Sequence, residues 1–294
     1  MYSKKKKYVT KAATSHGQDI WRNFRANKLA LAAAVVLLLI IIMALSCELF
    51  IDYDTQVVGM DPRARLQGPS AEHWFGTDSA GRDLFARVLY GTRYSLIFGI
   101  GCTFFSMLLG CLLGATAAYY GGVYDSILMR VLDALMCIPY MLLLLMIVAV
   151  MGRGIYPMIL AITIASVPGY TRIVRSVVLS VAQQDFIEAA RSCGSTDRYI
   201  VLHHILPNAV GPIIVDAMMS IASTIMSAAG LSYIGMGIQP PTPEWGNMLS
   251  DAMKYMRTNP SMAIFPGIAL VITALCFNLV GDGMADAIDP RRRK

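Results

Sequence analysis

Asp185-Phe186-Ile187-Glu188-Ala189-Ala190-Arg191-Ser192-Cys193-Gly194, followed by His204-Ile205-Leu206-Pro207, is a charged stretch set between long apolar runs. Ser180–Ser192 carries a helical pattern, with Phe186, Ala189, Ala190 and Cys193 on or near one face. Gly194 suits a helix stop in the left-handed region, where a side chain would be strained. Ser195, Thr196 or Asp197 offers a cap for a second short helix. Pro207 is expected to break the chain before the next apolar run begins. The stretch therefore predicts a compact helix–turn–helix that joins two longer apolar helices.

Those neighbours set the class. Hydrophobic residues make up 56% of the 294 and charged residues 15%, against roughly 25% charged in a soluble domain. About 20 helical residues cross a bilayer core. Six stretches are predicted to do so: residues 29–51, 94–120, 126–151, 155–170, 210–234 and 262–280. The expected fold is an all-α polytopic membrane protein with six transmembrane helices. Residues 1–28 are predicted to form a basic tail, 29–51 the first transmembrane helix and 52–93 an external segment. A five-helix core fills 94–282, with its polar loop at about 180–207, and 283–294 form a second tail.

Charge placement orients the chain. The net charge of +6 is concentrated in Lys4, Lys5, Lys6, Lys7, Lys11, Arg22, Arg25 and Lys28 and in Arg291-Arg292-Arg293-Lys294. Basic residues favour the cytoplasmic side. Placing both termini there, with Arg130, Arg172, Arg175, Arg191 and Arg198, puts 17 of the 25 Lys and Arg inside. These tails are read as topogenic, lipid-facing charge rather than as nucleic-acid binding. Ile20, Trp21, Phe24 and Leu29 fall at helical spacing, which suits an amphipathic helix on the inner leaflet. The apolar run after Lys28 is longer than a signal-peptide core, so an uncleaved first helix is expected.

Several chemistries lack their residues. No G-x-x-x-x-G-K-[ST] phosphate loop occurs, and beyond Lys28 only Lys254 and Lys294 remain. No H-E-x-x-H or G-x-S-x-G motif is present. Cys47, Cys102, Cys111, Cys137, Cys193 and Cys276 form no C-x-x-C pair and read as packing residues, so neither disulfides nor a metal site are expected. No catalytic residue is assigned. Arg130 and Asp133, three apart, are expected to pair, and Asp216 to lie about a turn and a half into the fifth helix. That helix also carries Ser220, Ser223, Thr224 and Ser227 among small residues. They suit either close helix packing or hydroxyls that line a weak, promiscuous path.

Three further stretches complete the reading. His73-Trp74-Phe75-Gly76-Thr77-Asp78-Ser79-Ala80-Gly81-Arg82-Asp83 precedes Leu84, Phe85, Val88 and Leu89, for which Asp78 or Ser79 is the expected cap and an interfacial helix the expected outcome. Gln239-Pro240-Pro241-Thr242-Pro243-Glu244-Trp245-Gly246-Asn247-Met248-Leu249 predicts a stiff extended loop. It either contacts an external protein or seals the outer mouth. The last helix ends Gly281-Asp282-Gly283-Met284-Ala285-Asp286-Ala287-Ile288-Asp289-Pro290-Arg291.

With Glu188-Ala189-Ala190, three residues, then Gly194, these stretches resemble the signatures of ABC-transporter permeases of the dipeptide, oligopeptide and nickel family, in its "C"-type subunit. The resemblance runs from about residue 20 to the end. It implies the type I ABC importer permease fold in the bacterial cytoplasmic membrane. It also implies a non-catalytic subunit of a binding-protein-dependent importer, for di- or oligopeptides, or alternatively nickel or glutathione. Asp185, Glu188, Ala189, Ala190, Gly194, His204 and Pro207 would then belong to the loop that docks an ATPase. The implied partners are a homologous second permease, two ABC ATPase subunits that hold ATP and Mg, an external solute-binding protein and membrane lipid. His204 fits the subfamily, whereas His203 stands where Arg is usual. That change removes a permanent charge or makes the contact pH-sensitive. A stand-alone secondary carrier and a membrane anchor are the competing classes.

Overall fold

The computed structural model describes residues 16–288. Lys4 to Lys11 and Asp289 to Lys294, which carry much of the expected terminal charge, lie outside the described residues. Among the described residues there are ten principal helices and no strands, apart from one isolated bridge between Thr77 and Asp83. The helices are α1 His16–Ala26, α2 Lys28–Ser46, α3 Leu84–Tyr120, α4 Gly122–Met136, α5 Tyr140–Met151, α6 Ile155–Ala182, α7 Asp185–Ser192, α8 Asp197–Tyr233, α9 Trp245–Ala252 and α10 Ser261–Ile288. Five helical stretches among the described residues are long and apolar enough to cross a membrane, or six if the bent pair α4–α5 is one span.

Several of these helices differ from the expected spans. α3 begins at Leu84, so Leu84 and Val88 lie buried in the core rather than on an interfacial helix. A wide, π-type stretch at Ile97–Cys102 is absorbed within it. Residues 126–151 do not make one straight span: α4 and α5 meet at 88°. Pro139 starts α5 without an amide donor, and its ring disfavours helical backbone at Ile138. α6 runs to Ala182, well past the expected end at 170, and α10 continues to Ile288. Pro207 does not break the chain. A second wide stretch, Ile200–Ile205, precedes it, and α8 is continuous from Asp197. The wider turn relieves the lost Pro207 donor, which is the usual way a helix tolerates a local irregularity.

Apolar residues form three main clusters. One joins α2, α8, α9 and α10 around Leu37, Ile221, Trp245 and Phe277. A second joins α3, α5, α6 and α8 around Phe98, Leu144, Met158 and Leu231. The third joins α3, α6, α7 and α8 around Val174, Val178, Ile187 and Ile205. α3 and α6 approach most closely at Gly110 and Gly114. A Cβ added there would lie 2.5 Å from Tyr170 Cβ and 2.6 Å from the Thr171 carbonyl oxygen. Glycines four apart on one helix face permit this backbone approach. α4 is tied to α6 by charge: Arg175 makes a fork with Asp125 (2.6 and 2.5 Å), and Asp133 pairs with Arg172. The expected partner of Asp133, Arg130, is therefore displaced by a residue distant in sequence. Phe24 of α1 packs on Gly283 of α10.

The segment between α2 and α3 is held by its own buried ions. Asp78 does not cap α3. It bonds Arg82 Nε at 2.7 Å and lies 3.4 Å from Arg87 Nε, all three being buried. Asp83 is the cap, accepting from the Ala86 amide at 2.8 Å while its other oxygen meets His73 Nδ1 at 2.8 Å. Arg87 also donates to the carbonyls of Val57 and Pro241, which fastens the proline-rich loop to this segment. Trp245 is buried and donates to the Val88 carbonyl at 3.0 Å. Glu244 caps α9 through the amides of Gly246 and Asn247.

Candidate functional site

The charged stretch folds into α7, a two-turn helix joined to α6 by Gln183–Gln184 and to α8 by Cys193–Thr196. Asp185 and Glu188 lie in its first turn, where acids complement the helix dipole. Its C-terminus closes with paired bonds: Ser195 N donates to Ala190 O (3.1 Å) and Gly194 N to Arg191 O (2.9 Å). Gly194 has φ +80°, and a Cβ there would meet nothing within 4 Å. The glycine is thus required by backbone conformation and not by crowding.

The face that α7 turns inward differs from the expected one. Ile187 is fully buried among Val174, Val178, Ile200 and Ile205, and Ala190 packs half-buried against the same cluster. Phe186, Ala189 and Cys193, expected on one face with Ala190, are exposed together with Asp185 and Glu188. Ile187 supplies the apolar anchor because i and i+3 lie on one side of a helix. The signal was present as a lone branched aliphatic in a polar run. The outward face is low in relief, with Ala189 beside two carboxylates and Phe186.

The turn after α7 is fastened to α3. Tyr119 donates its hydroxyl to Asp197, and the Arg191 guanidinium lies 5.3 Å from the centre of the Tyr119 ring. At the start of α8, Tyr199 stacks on His203 at 4.3 Å and meets His204 edge-on at 5.6 Å. His204 is half-buried and Pro207 exposed. The structure therefore places Asp185, Glu188, Ala189 and Gly194 on an outward surface, His204 on the wide turn that follows and Pro207 just beyond it. Ile187 is packed between the end of α6 and the start of α8.

The four hydroxyl residues of α8 gather at a second place. Ser220, Ser223, Thr224 and Ser227 line a cleft of about 320 Å³ with Asp216 of the same helix, Ser166, Gly169, Tyr170 and Ile173 of α6, and Tyr140 of α5. Spacings of four, seven or eight, and eleven from Asp216 put them on one face. Ser223 donates to the Ser220 carbonyl (2.9 Å) and Ser227 to the Ser223 carbonyl (2.8 Å). Thr224 is buried and accepts from Thr103 at 3.3 Å. Tyr140 and Ser166 share a hydrogen bond at 3.3 Å. Sequence reading missed Tyr140, Ser166 and Tyr170, which come from other helices and have no periodic relation to α8.

The chain is similar to known membrane proteins. Residues 106–294 match the family described as the binding-protein-dependent transport system inner membrane component. Residues 15–69 match the N-terminal TM domain of oligopeptide transport permease C. The glutathione transport system permease protein GsiD of Escherichia coli O6:K15:H31 (strain 536 / UPEC) is 45% identical over 273 residues, covering 93% of this chain and 90% of that protein. The protein of the same description from Shigella boydii serotype 4 (strain Sb227) matches with the same identity and coverage. Among solved structures, a chain of the inward-facing MetNI methionine ABC transporter, in its CY5 native crystal form, aligns with a TM-score of 0.59 and 18% identity, covering 70% of this chain and 98% of that one. The CY5 SeMet soak form aligns at 0.57 and 20%, covering 69% and 96%. These two likenesses concern the fold.

Proposed function

The chain belongs to the binding-protein-dependent transport system inner membrane component family, and from that premise we propose that it is the permease half of an importer for short peptides, the class to which glutathione belongs. It is a multi-pass inner-membrane permease of the ABC importer type. In the proposed assembly it pairs with a homologous second permease and binds two ATPase subunits through α7. It receives substrate from an external solute-binding protein. ATP and Mg belong to the ATPases, and this chain performs no chemistry of its own. In this assembly α7 faces the cytoplasm. Closure of the ATPases would draw the two coupling helices together, move α6 and α8 as a unit and open the cleft outward. Hydrolysis would reset it.

The observation that carries this reading is the geometry of α7: an exposed, low-relief face on a helix whose opposite side is locked between two long helices. Ala189 is the point of closest approach for a partner surface, because it projects only a methyl group. Ala189→Trp is expected to abolish co-purification of the ATPases while leaving this chain in the membrane, since Ala189 is exposed and bears no internal packing. Unchanged recovery of the ATPases would overturn α7 as the docking element.

A further inference from the structure

Asp216 is the one ionisable acid of the α8 cleft. Hydroxyl-bearing and apolar residues complete the lining, which holds no basic residue. Asp216 is half-buried and has no ion pair or hydrogen bond among the described residues. An acid in a membrane-spanning helix is costly unless it meets water, a proton or a cation, so such residues mark cavities and ion or substrate paths. The hydroxyls around it are biased in the same direction. Ser223 and Ser227 have committed their protons to backbone carbonyls, so each offers only lone pairs to the cleft. Tyr170 is 5% exposed, and its hydroxyl lies beside Ser220.

We propose that the cleft is a cation-selective station of the pathway, in which Asp216 receives the protonated amino group of a passing peptide. An ammonium group carries three donors and no acceptor. It matches a carboxylate that shares a helix face with Ser223 and Ser227, whose hydroxyls present acceptors. The stripe from Ser227 to Asp216 spans eleven residues, about 16 Å of helix rise, and the acid stands at the end nearest the coupling segment. The amino group thus meets weak hydroxyl acceptors first and the charge last. A cleft of about 320 Å³ is at the small end of ligand sites, which suits a fragment of peptide rather than a whole oligomer. Selectivity of this kind adds to whatever choice an external binding protein makes.

The inference rests on the pathway assignment, and the experiment separates the two. In the assembled transporter, Ser223→Cys is reacted with a cationic methanethiosulfonate (aminoethyl) and an anionic one (sulfonatoethyl), with residue 223 labelling followed by mass spectrometry. Cysteine at exposed Ser70 serves as the reference. The cation-to-anion rate ratio at residue 223 is expected to exceed the reference about tenfold and to fall to it when Asp216→Asn is added. Labelling is expected to block uptake. Absence of labelling, or labelling without effect on uptake, overturns the pathway assignment. Labelling that blocks uptake with a ratio equal to the reference overturns the cation station alone, and means that a cation of another subunit neutralises Asp216. As a second readout, Asp216→Asn is expected to lower uptake of a tripeptide with a free amino terminus about tenfold at saturating loaded binding protein, with Asp216→Glu retaining most of it. Unchanged uptake in Asp216→Asn overturns the proposal.

Discussion

Replacing Ile187 by Ala tests how α7 transmits movement. Ile187 is fully buried between α6 and α8 and is the one fully buried side chain of this eight-residue helix. Truncating a buried Ile to Ala costs about 2–5 kcal/mol, because apolar transfer is lost and a cavity remains. The spans are anchored by many other contacts, so the cost falls on the local docking of α7. At 1.4 kcal/mol per factor of ten, even 2 kcal/mol raises the undocked population about 30-fold. Hydrogen exchange reads such local opening directly. The amides of Cys193, Gly194 and Ser195, which close the helix end, should lose protection by about that factor in the assembled transporter, while amides within α10 keep theirs. ATP hydrolysis should persist but lose its stimulation by the loaded binding protein. Glu188→Ala is the control: its side chain is exposed, so protection should stay unchanged while affinity for the ATPases drops. Full coupling in Ile187→Ala together with wild-type exchange would refute the reasoning that this residue locks α7 to the spans.

Asp78→Ala leaves Arg82 and Arg87 buried beside each other, a loss of about 3–5 kcal/mol. Its melting temperature in detergent should fall well below that of Glu72→Ala, an exposed change in the same segment, and equal melting temperatures would count against the buried network. Burial pushes the Glu244 carboxyl above its ordinary value of 4.5, against the lowering effect of the Gly246 and Asn247 amides. A raised folded-state value means that the folded protein holds this proton more tightly than the unfolded chain, so stability rises as pH falls from the folded value toward 4.5. Wild type should therefore gain thermal stability over Glu244→Gln across that window, and a difference that does not vary with pH would contradict the burial argument.

The class of the molecule was legible along the chain because bilayer crossing is a local property. Twenty apolar residues declare themselves without reference to any neighbour. The turn at Gly194 was equally local, since a backbone that needs positive φ needs glycine. The Ser220–Ser227 stripe was visible as a period of one helix, though its meaning was not. Where the sequence misled, a distant partner decided. Asp78 reads as a cap until Arg82 and Arg87 are folded around it, and Arg130 reads as the mate of Asp133 until α6 brings Arg172 closer. Pro207 reads as a break until a wide turn absorbs it.

The inward face of α7 depended on what the helix packs against. Ile187 and Ala189 both suit a small amphipathic helix, and only the walls of α6 and α8 choose between them. The cleft had to wait for the tertiary structure altogether. Asp216 and the serines belong to α8, Ser166 and Tyr170 to α6, and Tyr140 to a helix set at 88° to its predecessor. Sequence thus determined that the chain lies in a membrane and where it turns, because solvation and backbone conformation act residue by residue. Tertiary structure decided which polar groups meet, because electrostatic and hydrogen-bond partners are chosen by proximity in space.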